Sequence, residues 1–135
     1  MQPSIADLAR IIEVARAASE KAYAPYSDFR VGAAILTEGG VVYAGCNVEN
    51  ASYGLAVCAE RNAAAAMVLA DPNDRKIQLI AIVSPNTVPC FPCGACRQVL
   101  HEFGCEEIVV LQTSGTVGRY PFGTLLPCAF GPESL

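Results

Sequence analysis

Cys58-Ala59-Glu60-Arg61-Asn62-Ala63-Ala64-Ala65-Ala66-Met67-Val68-Leu69-Ala70 is rich in alanine and free of proline and glycine, which predicts a helix over 58–70. Asp71-Pro72-Asn73-Asp74 stops it. The apolar, β-branched run 77–83 then reads as a buried strand. Pro92-Cys93-Gly94-Ala95-Cys96 opens a second helix over 93–103, closed by Gly104, and 108–111 reads as another strand. Upstream, Ile5, Leu8, Ile12, Ala15 and Ala18 recur at helical spacing in 5–22, with Ser4 as N-cap, Asp7 three residues on, and Pro25 ending the region. The runs 31–36 and 41–46 flank Glu38-Gly39-Gly40 and predict an antiparallel hairpin. The segment 84–91 is a loop with two prolines, and the tail from Thr113 holds short elements at most. This order implies an α/β fold, a three-layer α/β/α sandwich with helices covering a mixed sheet.

The chain has 135 residues and no internal repeat or linker, which suits a single domain over 1–135. Hydrophobic residues make up 53% and charged residues 16%, too few charges to cover so small a surface, so an apolar subunit interface is expected. No apolar run reaches the roughly 18 residues of a membrane span. The start mixes acid and base and lacks signal-peptide shape, so a cytoplasmic location is expected. Seven cysteines there read as thiols and metal ligands. A net charge of −4 without a basic run argues against nucleic-acid binding.

The chemistry concentrates at three cysteines. Cys58 opens one predicted helix, and Cys93 and Cys96 lie in the first turn of another, facing the same way. A helix N-terminus favours thiolate. Three thiolates suit a catalytic Zn²⁺, whose fourth position stays open for water, and Glu60 is placed to move that water's proton. The set leaves a net charge of −1, which one or both of Arg61 and Arg97 are expected to offset by donating to sulfur. A structural zinc would need a fourth ligand, for which Cys90 is the nearest rival. Cys46, Cys105 and Cys128 read as small core residues, and His101 as a packed or surface histidine.

Five stretches extend the pattern: Tyr26-Ser27-Asp28-Phe29-Arg30-Val31-Gly32-Ala33-Ala34, Gly45-Cys46-Asn47-Val48-Glu49-Asn50-Ala51-Ser52-Tyr53, Cys58-Ala59-Glu60-Arg61, Pro92-Cys93-Gly94-Ala95-Cys96-Arg97-Gln98 and Phe130-Gly131-Pro132-Glu133. Together they resemble the small homotetrameric zinc-dependent cytidine deaminases over nearly the whole chain, with Phe91 bulkier than that pattern suggests. The resemblance implies a roughly five-stranded sheet, one Zn²⁺ per subunit on Cys58, Cys93 and Cys96, and hydrolytic deamination of cytidine and 2′-deoxycytidine with Glu60 catalytic. It implies substrate contacts from Phe29 on the pyrimidine ring, Asn47 and Glu49 on the ribose, the Ala59 backbone on the base, and Ala51. It further implies that Tyr53 and Phe130 cross subunit interfaces, so that neighbouring copies complete each site. Two other readings remain: a deaminase of a different amino-pyrimidine nucleoside, such as a nucleoside antibiotic, and a non-catalytic zinc-stabilised binding module.

Overall fold

The structure, a computed structural model, describes residues 3–135; Met1 and Gln2, part of the start read for a signal peptide, lie outside them. The elements are α1 (Ile5–Ser19), β1 (Gly32–Thr37), β2 (Val42–Cys46), α2 (Ala59–Ala70), β3 (Ile77–Val83), α3 (Gly94–Glu102), β4 (Glu107–Leu111) and β5 (Val117–Pro121), with three short 3₁₀ turns among the described residues. The sheet order is β2-β1-β3-β4-β5. β3 and β4 are parallel, joined through α3, and every other neighbouring pair is antiparallel.

Both faces of the central strands are covered. Ala33, Ile35, Ile80, Ile82, Ile108 and Val110 pack in one core with Ala59, Ala63, Met67 and Leu100 of α2 and α3. Their alternating neighbours Ala34, Leu36, Leu79, Ala81, Val83 and Val109 pack in another with Leu8, Ile11, Ile12 and Ala15 of α1. Side chains alternate faces along a strand, so β1, β3 and β4 read as largely apolar runs because helices lie on both sides. The three-layer α/β/α sandwich is therefore present.

α1 starts as expected. Ser4 and Asp7 form a reciprocal capping box. The helix ends at Ser19, short of residue 22, and its buried stripe takes Ile11 in place of Ile5, which is 87% exposed. Gly104, with φ 63°, terminates α3 in the left-handed region. The tail holds a real strand: β5 pairs with β4 from Leu111↔Val117 to Glu107↔Pro121.

The sheet holds its helices closely because two strand residues lack a side chain. A Cβ on Gly32 would lie 1.9 Å from the Ala15 carbonyl oxygen of α1. A Cβ on Gly45 would lie 2.4 Å from the Ala63 nitrogen and 2.5 Å from the Ala59 oxygen, both backbone atoms of α2. Gly45→Ala is expected to push α2 off the sheet and cost about 2–3 kcal/mol, read as a lower urea midpoint. Gly123→Ala meets open space and should shift that midpoint little.

Candidate active site

α2 and α3 bring their N-termini together. Cys58 and Cys93 are the N-cap residues of the two helices, both in extended backbone, and neither side chain caps its own helix. A serine or aspartate there would turn inward to bond the helix N–H groups; these thiols turn to each other. The Cys58 and Cys93 sulfurs are 3.9 Å apart, and the three sulfurs of Cys58, Cys93 and Cys96 all lie within 4.8 Å of one another. A tetrahedral zinc with sulfur at about 2.3 Å sets its ligand sulfurs about 3.8 Å apart. The chain's donor set therefore fits that metal.

The thiols of the cluster share a proton unequally. The Cys58 thiol is drawn down to about 5, chiefly by a hydrogen bond from Cys96, against burial and with help from Arg61 and Cys93. Cys96 is pushed up because it gives that proton to Cys58 and is buried. Arg61 spends one guanidinium nitrogen on the Ala56 carbonyl at 3.3 Å, while its Nε is buried without a hydrogen-bond partner. A buried orphan donor beside thiols is what a charged sulfur cluster would satisfy. Arg61→Ala is expected to lower zinc affinity and turnover by about 10–100-fold with the fold retained, checked by chelator competition and kinetics. Arg97 is a correction: its guanidinium donates to the carbonyls of Pro92 at 2.9 Å and Leu125 at 2.8 Å, not to sulfur. It ties the cysteine loop to the carboxy-terminal segment.

Glu60 sits in the first turn of α2 and is only 4% exposed. Burial is the main reason its carboxyl is pushed up to about 7, with the Cys58 charge adding to it. It opens onto a cleft of about 460 Å³ that also takes in Phe29, Asn47, Glu49, Ala59, Cys58 and Cys93. Ala51 is exposed and does not line it. Neither do Tyr53, 77% exposed, and Phe130, 63% exposed; Tyr53 instead lines an adjoining hollow with Tyr26, Ser27 and Glu49.

Asn47 and Glu49 are engaged in more than the sequence suggested. Asn47 Oδ1 accepts from the Val31 N–H and its Nδ2 donates to the Phe29 carbonyl, each at 2.8 Å. Glu49 accepts from the Tyr26 and Ser27 N–H groups at 3.0 and 3.2 Å and from the Ser27 hydroxyl. The Ser27 hydroxyl and these N–H groups hold its carboxyl below the usual range. Its grip on the loop is thus complete above the ordinary carboxylate value and is lost as pH falls through the lowered one.

The 84–91 loop carries no predicted substrate contact, yet Thr87, Pro89, Cys90 and Phe91 line the cleft. The available signal was its position directly before Pro92-Cys93. Cys90 lines the cleft but lies outside the sulfur cluster, and burial together with Glu60 pushes its thiol up to about 11. Cys105 is buried as expected, whereas Cys46 is half-buried and Cys128 is exposed with φ 52°, so neither is a core residue. His101 stacks on Phe122 and pairs with Glu133 at 3.0 Å.

The profile of the cytidine and deoxycytidylate deaminase zinc-binding region matches residues 6–112. The chain belongs to this deaminase family. It is 40% identical over 131 residues to a cytidine deaminase of Sporosarcina psychrophila, covering 96% of this chain and 95% of that one. It is 43% identical over 118 residues to the cytidine deaminase of Mycobacterium tuberculosis, covering 87% and 85%. Among solved structures, the cytidine deaminase from Burkholderia pseudomallei superposes with a TM-score of 0.81 at 49% identity, covering 90% of this chain and 98% of that one. A zinc-binding deaminase with a five-stranded mixed sheet is thus shown by fold and family together.

Proposed function

We propose that this deaminase hydrolyses cytidine and 2′-deoxycytidine to uridine and 2′-deoxyuridine, releasing ammonia. The observation that carries the reading is the buried Glu60 carboxyl opening onto the same cleft as a three-sulfur cluster of zinc dimensions. Cys58, Cys93 and Cys96 would hold the metal, one per subunit. When bound, zinc lowers the pKa of a water and so makes a nucleophile available near neutral pH. Glu60 takes that water's proton and delivers protons to N3 of the pyrimidine and to the amine leaving C4. A carboxyl poised near neutrality serves both directions of transfer. Phe29 packs on the ring, Ala59 offers its backbone to the base, and Asn47 and Glu49 take the sugar hydroxyls with the bonding capacity their loop contacts leave.

The substrate class follows from charge. Among the described residues that line the cleft none is Lys or Arg, while Glu49 and Glu60 are acidic. A phosphate would find no counter-charge from this chain's part of the cleft, which favours a nucleoside over a nucleotide. A panel of cytidine, 2′-deoxycytidine, cytidine 5′-monophosphate and cytosine tests this. The two nucleosides should yield equimolar uridine-type product and ammonia, the others little; preferential turnover of the monophosphate would contradict it.

The reading extends to a one-domain chain assembled as a cytoplasmic homotetramer. Exposed Tyr26 and Tyr53 pack edge to face at 5.9 Å, and Val48, Leu55 and Phe130 are exposed as well, apolar area that a second copy would cover. No helix among the described residues is long and apolar enough to cross a membrane. Sedimentation equilibrium should give four copies per particle, and a monomer at micromolar concentration would end this part of the reading.

A further inference from the structure

The backbone of Phe29 is held on both sides by side chains of the cleft. Its N–H donates to the Ser27 hydroxyl at 3.0 Å and its carbonyl accepts from Asn47 Nδ2 at 2.8 Å. Between Ser27 and Phe29 stands Asp28 at φ 56°, a left-handed conformation disfavoured for a residue with a side chain. The bonds from Phe29 to Ser27 and Asn47 fix the loop in that shape. The Ser27 hydroxyl has one proton, and it donates that proton to Glu49. It therefore meets Phe29 as an acceptor, and the direction of the chain Phe29 N–H, Ser27 hydroxyl, Glu49 carboxylate is set. A carboxylate has about four acceptor positions. Three donors from the loop occupy Glu49, which leaves room for one sugar hydroxyl.

We propose that Ser27 is a positioning residue whose hydroxyl couples the sugar-holding carboxylate of Glu49 to the placement of the Phe29 ring. The inference rests on the nucleoside reading of the cleft. A sugar on Glu49 then stiffens the same bonded chain that aims the ring at the base, so the two ends of a nucleoside are read together. Removing the hydroxyl leaves the Phe29 N–H without its partner and frees the strained turn. The ring is then no longer held over the base, which weakens binding of substrate and transition state alike. That loss falls on KM more than on kcat.

Threonine and valine have nearly the same shape and differ by the hydroxyl, so Ser27→Thr and Ser27→Val isolate it. Both should bind one zinc per chain. Ser27→Thr is expected within about threefold of wild type. Ser27→Val is expected to raise the KM for cytidine about tenfold, the scale of one charge-assisted hydrogen bond, with kcat changed by less than about threefold. Ser27→Ala should match Ser27→Val and serves if the valine form fails to fold. In a Phe29→Leu background the difference between the threonine and valine forms should shrink to under about twofold, because the ring it acts through is gone. Equal KM values for the threonine and valine forms would overturn the inference. So would a full tenfold difference persisting in the Phe29→Leu background, the mark of a merely structural role. A wild-type protein inactive on cytidine would overturn the proposed function and the inference with it, whereas an active wild type with matching variants would overturn the inference alone.

Discussion

Glu60→Gln is expected to keep the fold and the zinc and to lose about 10²–10⁴-fold in kcat, the range spanned by a positioned acid–base group. The substitution is nearly isosteric. Glu60 is buried on α2, and its carboxyl is raised to about 7 mainly by that burial. That burial already disfavours the charged form, so a neutral amide of the same size should be accommodated with little strain. An amide can still hydrogen-bond but cannot take up and release a proton. Turnover should fall while circular dichroism and metal content stay at wild-type values. Activity within tenfold of wild type would remove Glu60 from the acid–base role.

The second large effect is at the sulfur cluster. Cys58→Ala should drop zinc from about one per chain to near none after dialysis, with turnover falling below detection. Two ligands from α3 and an open edge toward the cleft do not make a closed site, and zinc sites are built on three or four protein ligands. Because the cluster joins the N-termini of α2 and α3, the variant should also melt earlier than wild type. Cys90→Ala makes the comparison sharp. Cys90 lies outside the cluster, so its removal should leave one zinc per chain. Zinc loss in the Cys90 variant would restore it as a fourth ligand and turn the site into a structural one.

Sequence periodicity carried the parts of the fold that are buried on both faces. The β3 run was legible with its bounds because both of its faces are apolar, and the α1 cap was legible because serine and aspartate meet at capping spacing. β5 was not recognised as a strand because it is an edge strand: only Gly118 is buried, and Gly118 and Pro121 are poor strand formers. Ile5 satisfied the helical spacing but lies too near the start of α1 to reach the sheet.

At the candidate site, the cysteines and Glu60 were legible because ligand spacing within one helical turn is a local property. The clamp from Asn47 and Glu49 onto residues 26–31 was not, since it depends on where a strained turn at Asp28 brings backbone N–H groups. Arg97 shows the same limit. Its neighbour in sequence, Cys96, belongs to the sulfur cluster, but its guanidinium is claimed by carbonyls at Pro92 and Leu125, the second of which only the tertiary fold places nearby.

The most direct measurement is the loss of cytidine ultraviolet absorbance on adding wild-type protein, with zinc content determined on the same sample. The account predicts conversion to uridine at a rate proportional to bound zinc, saturating at one zinc per chain. Full zinc occupancy with no turnover of cytidine or 2′-deoxycytidine would contradict it.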